Sequence, residues 1–213
     1  MSPLSRPPEA PGAFAHFPEL VLAPGTELVR IHRRGRSSWW FSGDGSGRFD
    51  LGPPAASPER AGRGTCYLAE DPLGAFVEVF RDLRVIPESE LRRRALSRLA
   101  LPRPLRLADA TARRARVFGV TGALHSTPDY ALTRAWAAAF AGAGFDGVRY
   151  LLSHDPAQEL VGYALFGERS EAGGAPPDEA EWPPGEAEEI GFDLVHRARQ
   201  ELGLLAAPAP TAP

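Results

Sequence analysis

Glu78 is the residue whose chemistry conflicts most with its surroundings. It lies near the middle of PLGAFVEVF, where Leu73, Phe76, Val77 and Phe80 fall close to helical spacing and make an apolar face. By periodicity alone the carboxylate belongs on the solvated side, because Glu is seldom fully buried. The sharper reading turns it into a cleft together with Tyr67 and a remote Arg. Arg30, Arg48, Tyr67 and Ser153 are likewise polar residues at element ends or in unexpected positions. An Arg in a strand ordinarily faces solvent, but a strand can also hold a guanidinium rigidly in a cleft. Beside Arg48, the Gly-rich run RGRSSWWFSGDGSGRFDLGPP carries Trp39, Trp40, Phe41 and Phe49. So many rings read either as one wall of a ligand site or as a packed Ω-type loop.

The usual chemistries are hard to place. No GxGxxG sits at a strand–helix junction, and Gly43-Asp44-Gly45-Ser46-Gly47 lacks the Lys and following helix of a P-loop. No GxSxG elbow occurs. The five His are scattered without paired spacing, so no metal site is expected. Cys66 is the single Cys, which excludes a disulfide framework, and within an apolar strand it reads as a small core residue. All 24 basic residues are Arg, so no Lys can serve as a Schiff-base nucleophile or phosphate ligand. The net charge of −3 demands neither nucleic acid nor an anionic membrane. With no signal-like N-terminus and no stretch of membrane-spanning length, a cytoplasmic location is expected.

The elements that must position these groups follow from pattern and punctuation. Residues 1–26 carry five Pro before residue 19 and read as an extended or partly disordered arm. ELVRIHR, from Glu27, alternates as a strand: Val29 and Ile31 face the core, and Arg30 and His32 share the opposite face. Residues 53–63 look like a linker. Thr65 to Leu68 form a short strand, after which Asp71 caps a helix and Pro72 takes its first position. Strands are expected near 95–101 and 105–108, with a helical turn as one reading of 88–94. The clearest helix is expected to be capped by Thr127, started by Pro128 and closed by Gly144. Phe145 to Leu152 and Leu160 to Phe166 are strands, the second central because it is nearly all apolar. Residues 171–190 read as a Pro/Gly/acidic linker, 191–206 as a C-terminal helix expected to dock on the domain, and 207–213 as a disordered tail. The whole is expected to be α+β, with a single domain over 27–170, mixed or antiparallel sheets and flanking helices.

In order, these residues resemble the RES domain family, named for its Arg, Glu and Ser. LVRIHR resembles its first strand, with Arg30; Gly47-Arg48-Phe49 resembles its GRF element; CYLAEDPLGAFVEVF resembles its strand Tyr and helical Glu, here Tyr67 and Glu78. Asp129-Tyr130 with Thr133 resembles its Asp-Tyr…Thr helix, and FDGV with Ser153 resembles its final block. The resemblance covers roughly residues 27 to 167, and the ordered set is more specific than any single motif. Two departures stand out: His154 follows Ser153 where the family commonly has Arg, and Ile31 follows Arg30 where some members have Tyr.

The resemblance implies an ADP-ribosyltransferase-like fold with NAD bound between sheets. It also implies an NAD-consuming toxin that cleaves the nicotinamide–ribose bond by hydrolysis or phosphorolysis, restrained by a small helix-turn-helix antitoxin. Cleavage would pass through an oxocarbenium-like state. Glu78 would stabilise that charge or orient the incoming water or inorganic phosphate. Tyr67, with Trp39 or Phe41, would stack the nicotinamide. Arg30 and Arg48 would hold the pyrophosphate, and Ser153 the ribose or the nicotinamide amide. No metal is implied. Transfer of ADP-ribose to a protein, or a nucleotide-binding module without turnover, are the alternatives.

Overall fold

The computed structural model describes residues 4–10, 12–51, 62–81, 83–170 and 181–207. Its core is an eight-stranded mixed sheet with helices packed against it, and a two-stranded sheet lies beside it. In spatial order the large sheet runs β1 (Glu19–Leu22), β6 (Leu105–Asp109), β7 (Gly147–Leu151), β8 (Val161–Glu168), β3 (Arg63–Ala69), β2 (Glu27–Arg33), β5 (Arg94–Ala100) and β9 (Ala187–Glu188). Among the described strands of this sheet only the β6–β7 pair is parallel. β8 lies in the middle with six consecutive buried residues, the burial its apolar run predicts. The small sheet pairs β4 (Val85–Pro87) with β10 (Leu205–Ala207) in parallel.

α1 (Pro72–Phe80) follows β3 directly. Asp71 caps it, accepting the Gly74 N–H at 2.8 Å, with Pro72 in the first turn as the sequence predicts. Leu73, Phe76, Val77 and Phe80 are all buried, and Phe76 and Phe80 contact each other with ring centroids 4.6 Å apart. α2 (Glu88–Arg92) is the short turn anticipated before β5. α3 (Ala123–Ser126) and α4 (Tyr130–Gly142) cover the other half of the sheet.

The start of α4 differs from the sequence reading. Asp129, not Thr127, is the cap, accepting from Leu132 N–H at 3.1 Å, and the helix begins at Tyr130. Pro128 forces Thr127 into an extended conformation, so Thr127 instead closes α3. Gly144 ends α4 as expected, in the left-handed region at φ +81°.

Both flanking segments are more structured than composition suggests. In the N-terminal arm Phe14 and Phe17 are buried, Trp136 Nε1 donates to Ser5 O at 2.9 Å, and β1 pairs with β6. Five prolines obscure a segment whose two rings supply its binding energy, each buried aromatic contributing about 1.5–3 kcal/mol. In the 171–190 linker, residues 171–180 lie outside the described residues. Beyond them Trp182 is buried against Trp39 and Phe41, and β9 extends the sheet edge. The linker expected at 53–63 lies outside the described residues over 53–61, and Arg63 already belongs to β3. α5 (Phe192–Leu202) docks on α1 with Ala198 fully buried. Ala207 is part of β10, while 208–213 lie outside the described residues. Among the described residues no helix is long and apolar enough to cross a membrane.

Candidate functional site

A break in the sheet makes the site. β2 pairs with β5 along all seven residues, and β3 with β8 along all seven, but β2 and β3 share one pair, Val29 with Ala69. Beyond it the two strands part. The loop after β2 enters the gap and bridges β3 through Ser42 and Thr65, whose backbone hydrogen bonds measure 2.9 and 2.7 Å. The result is a cleft of about 230 Å³ lined by Arg30 and Ile31 of β2, Arg48 and Asp50 of the loop, Tyr67 of β3, and Glu78.

Glu78 points into this cleft, so the solvated reading gives way to the sharper one. Its side chain is 21% exposed. Tyr150 Oη donates to Oε2 at 3.1 Å, and Arg81 Nη1 stands 3.7 Å from Oε1. Burial pushes the carboxyl above its ordinary range, against the opposing pull of Arg81, the Tyr150 hydroxyl and Arg48. Burial together with the neighbouring carboxylate holds Tyr150 protonated, well above the usual phenol range, so it remains a donor.

Tyr67 is fixed by its hydroxyl. It donates to Asp50 Oδ1 at 2.8 Å and accepts the Phe49 N–H at 2.8 Å, while Gly47 N–H donates to Asp50 Oδ2 at 3.0 Å. Asp50 is fully buried; burial raises its pKa, while the Gly47 amide and the Tyr67 hydroxyl pull it back. A Cβ at Gly47 would collide with the Tyr67 hydroxyl and the Asp50 carboxylate, so only glycine lets the loop approach the ring.

The arginines are held by their own contacts. Arg30 Nη1 donates to Ser38 O at 2.6 Å. Its strand face, expected to meet solvent, is covered: Leu28 and His32 beside it are buried, and His32 Nε2 lies 3.0 Å from Ser97 Oγ. Arg48 is buried, with Nη1 donating to Thr127 O at 2.6 Å and its guanidinium 4.9 Å from the centre of the Tyr130 ring. Thr133 Oγ1 donates to Arg48 O at 2.6 Å, so α4 grips both ends of the residue. The Arg48 charge lowers the pKa of both Glu78 and His125.

Three expected contacts are not brought into the cleft. Trp39 and Phe41 are fully buried on the other side of the loop, packed on Trp182, with Trp39 Nε1 donating to Pro183 O at 2.8 Å. The Ω-loop reading holds for these rings, and the partner that buries them lies more than 140 residues away in sequence. Ser153 sits in the exposed turn after β7, outside the cleft lining. Conversely, sequence reasoning missed Asp50, Arg81 and Tyr150. Asp50 stands two residues after Arg48, and Tyr150 shares the inward face of β7 with Val148, so alternation was the available signal.

The sequence profile of the RES domain family matches residues 27–184. No curated protein sequence matches. Among solved structures, the fold is similar to a chain in the crystal structure of the M. tuberculosis MbcT–MbcA toxin–antitoxin complex, with a TM-score of 0.58 and 18% sequence identity. That likeness covers 84% of this chain and 92% of the other.

Proposed function

The chain belongs to the RES domain family, and from that premise we propose that it consumes NAD by cleaving the nicotinamide–ribose bond, as the toxin of a toxin–antitoxin pair. The observation that carries this reading is the setting of Glu78: a largely shielded carboxylate held by Tyr150 and Arg81 in a cleft that Tyr67, Arg30 and Arg48 also line.

In the reaction, the bond from ribose C1′ to the pyridinium nitrogen breaks, and its electron pair returns to the nicotinamide. Positive charge develops on the ribose, and a fixed carboxylate in a poorly hydrated cleft stabilises it more strongly than water would. Water or inorganic phosphate then bonds to C1′ through oxygen, and a water nucleophile sheds its proton to solvent. The ionised carboxylate is the working form, so Tyr150 and Arg81 assist by opposing the pKa rise that burial imposes. Tyr67 offers an aromatic surface to the nicotinamide, and Arg48, with Arg30, supplies the cationic charge the pyrophosphate requires. NAD is here the substrate.

The antitoxin rests on the likeness to a chain of a toxin–antitoxin complex. Purified protein incubated with NAD tests the reaction. Hydrolysis releases nicotinamide and ADP-ribose; phosphorolysis releases nicotinamide only when phosphate is added, with a phosphorylated sugar as co-product. Label retained on a protein band would assign the acceptor to a macromolecule instead.

A further inference from the structure

Asp50 places a second carboxylate in the cleft wall, and it is fully buried. Among the described residues it has no ion-pair partner; hydrogen-bond donors alone hold it. Oδ2 accepts the Gly47 N–H at 3.0 Å, Oδ1 accepts the Tyr67 hydroxyl at 2.8 Å, and the Gly45 amide adds a third donor. Burying a carboxylate without a cation costs stability, a cost that an uncharged side chain of similar size would avoid.

These bonds join two separately anchored parts of the site. Gly47 to Asp50 form a turn closed at both ends, by the Gly47 N–H on the carboxylate and by the Asp50 N–H on Gly47 O at 3.4 Å. Arg48 and Phe49 are its central residues. Arg48 is fixed from α4 by Thr133 and from the residue before its cap region by the Thr127 carbonyl. The Phe49 ring packs 4.8 Å from that of Tyr150, whose hydroxyl donates to Glu78. The turn therefore has its own supports. Tyr67 comes from β3, whose backbone is held by β8. Its side chain reaches the turn, where the hydroxyl accepts the Phe49 N–H and donates to Asp50.

We infer that Asp50 is a positioning residue for the cleavage reaction, acting through Tyr67 to hold its ring in register with Arg48 and Glu78. The inference rests on the reading of the cleft as an NAD site and deepens it. A reacting group displaced by about 1 Å can cost about 10²-fold in rate, so a tie between the ring and the turn has catalytic weight. The carboxylate is needed because both of its oxygens accept. Asparagine has the same shape but a single acceptor oxygen. With its NH2 towards Tyr67, the hydroxyl proton has no acceptor; with its NH2 towards Gly47, two donors meet. Either way a buried donor is stranded and the ring is released. Since the tie runs through the hydroxyl, Tyr67→Phe keeps the ring and loses the same positioning.

Two measurements on the full chain test this. Amide hydrogen exchange followed by NMR, without NAD, reads the tie itself. In Asp50→Asn the Phe49 amide, which bonds the Tyr67 hydroxyl, should exchange about tenfold faster or more. The amides of Ser42 and Thr65, which bond each other's carbonyls, should exchange as in the wild type. The kinetics of nicotinamide release read the use of the tie. Asp50→Asn and Tyr67→Phe should each lower kcat about tenfold with KM changed less than about threefold, the mark of an interaction realised in the transition state. The double variant should be within about twofold of the slower single one, because both substitutions break one connection. Tyr67→Phe leaves Asp50 in place and decides the matter should the asparagine variant fail to fold. An unchanged Phe49 amide, equal loosening at Ser42 and Thr65, full activity of Tyr67→Phe, or losses that multiply in the double variant would each overturn the inference. A loosened Phe49 amide with no nicotinamide release by the wild type would uphold the Asp50–Tyr67 tie and overturn only the proposed reaction.

Discussion

At the scale of single residues, the site is organised by the cost of charge on Glu78. Burial raises its pKa, so the folded protein binds that proton more tightly than the unfolded chain does. Its contribution to stability is therefore most favourable below the unfolded carboxyl pKa and is lost as pH rises through the elevated folded value. Glu78→Gln should thus raise the melting temperature at pH 7, and the gain should vanish in scans at pH 4 and below. The same substitution should lower NAD cleavage by about 10²–10³-fold, the usual loss when a group stabilising transition-state charge is removed. Tyr150→Phe removes the hydrogen bond that opposes the pKa rise. The rate should fall about tenfold, as for a hydrogen bond to a charged group, and the acid limb of the pH–rate profile should move to higher pH. Helical periodicity put Glu78 on the solvated face; what singled it out in the sequence was its place in the order Arg30, Arg48, Tyr67, Glu78. Asp50 and Tyr150 were not legible there, since their partners, Tyr67 on β3 and Glu78 on α1, lie 17 and 72 residues away.

At the scale of elements, the Gly-rich loop between β2 and β3 has two faces, and composition does not separate them. One carries Trp39 and Phe41 into the core under Trp182; the other carries Arg48 and Asp50 to the cleft. The aromatic count announced a loop that must be buried, but the ring that buries it comes from a segment whose prolines and acids read as linker. Gly47 controls the cleft-facing side. Gly47→Ala should push the loop off Tyr67, lower the melting temperature and reduce NAD cleavage, while Glu78 and its helix stay in place. Asp71→Ala, by contrast, removes only the cap of α1 and should cost about 1 kcal/mol in chemical denaturation.

At the scale of the whole molecule, strand order creates the site. Five strands on one side of the break and three on the other meet at one residue pair, and α1 spans the junction. Individual strands were readable: β2 from alternation, β5 and β6 on either side of Pro102 and Pro104, and β8 from its nearly continuous apolar run. The break was not, because it reflects which strands β2 and β3 choose as long partners. The C-terminal helix supports the arrangement from behind: Leu194, Val195 and Ala198 of α5 pack on the cluster that holds Phe76 and Phe80 of α1. Deleting residues 191–213 should lower the melting temperature by about 5 °C or more, with NAD cleavage falling as α1 loosens.

The most direct test of the account compares nicotinamide release from NAD by the wild type and by Glu78→Gln, with and without inorganic phosphate, followed by chromatography. The account predicts release by the wild type in at least one of the two conditions and about 10²–10³-fold less by the variant. No release by the wild type in either condition, or equal release by both proteins, would contradict it.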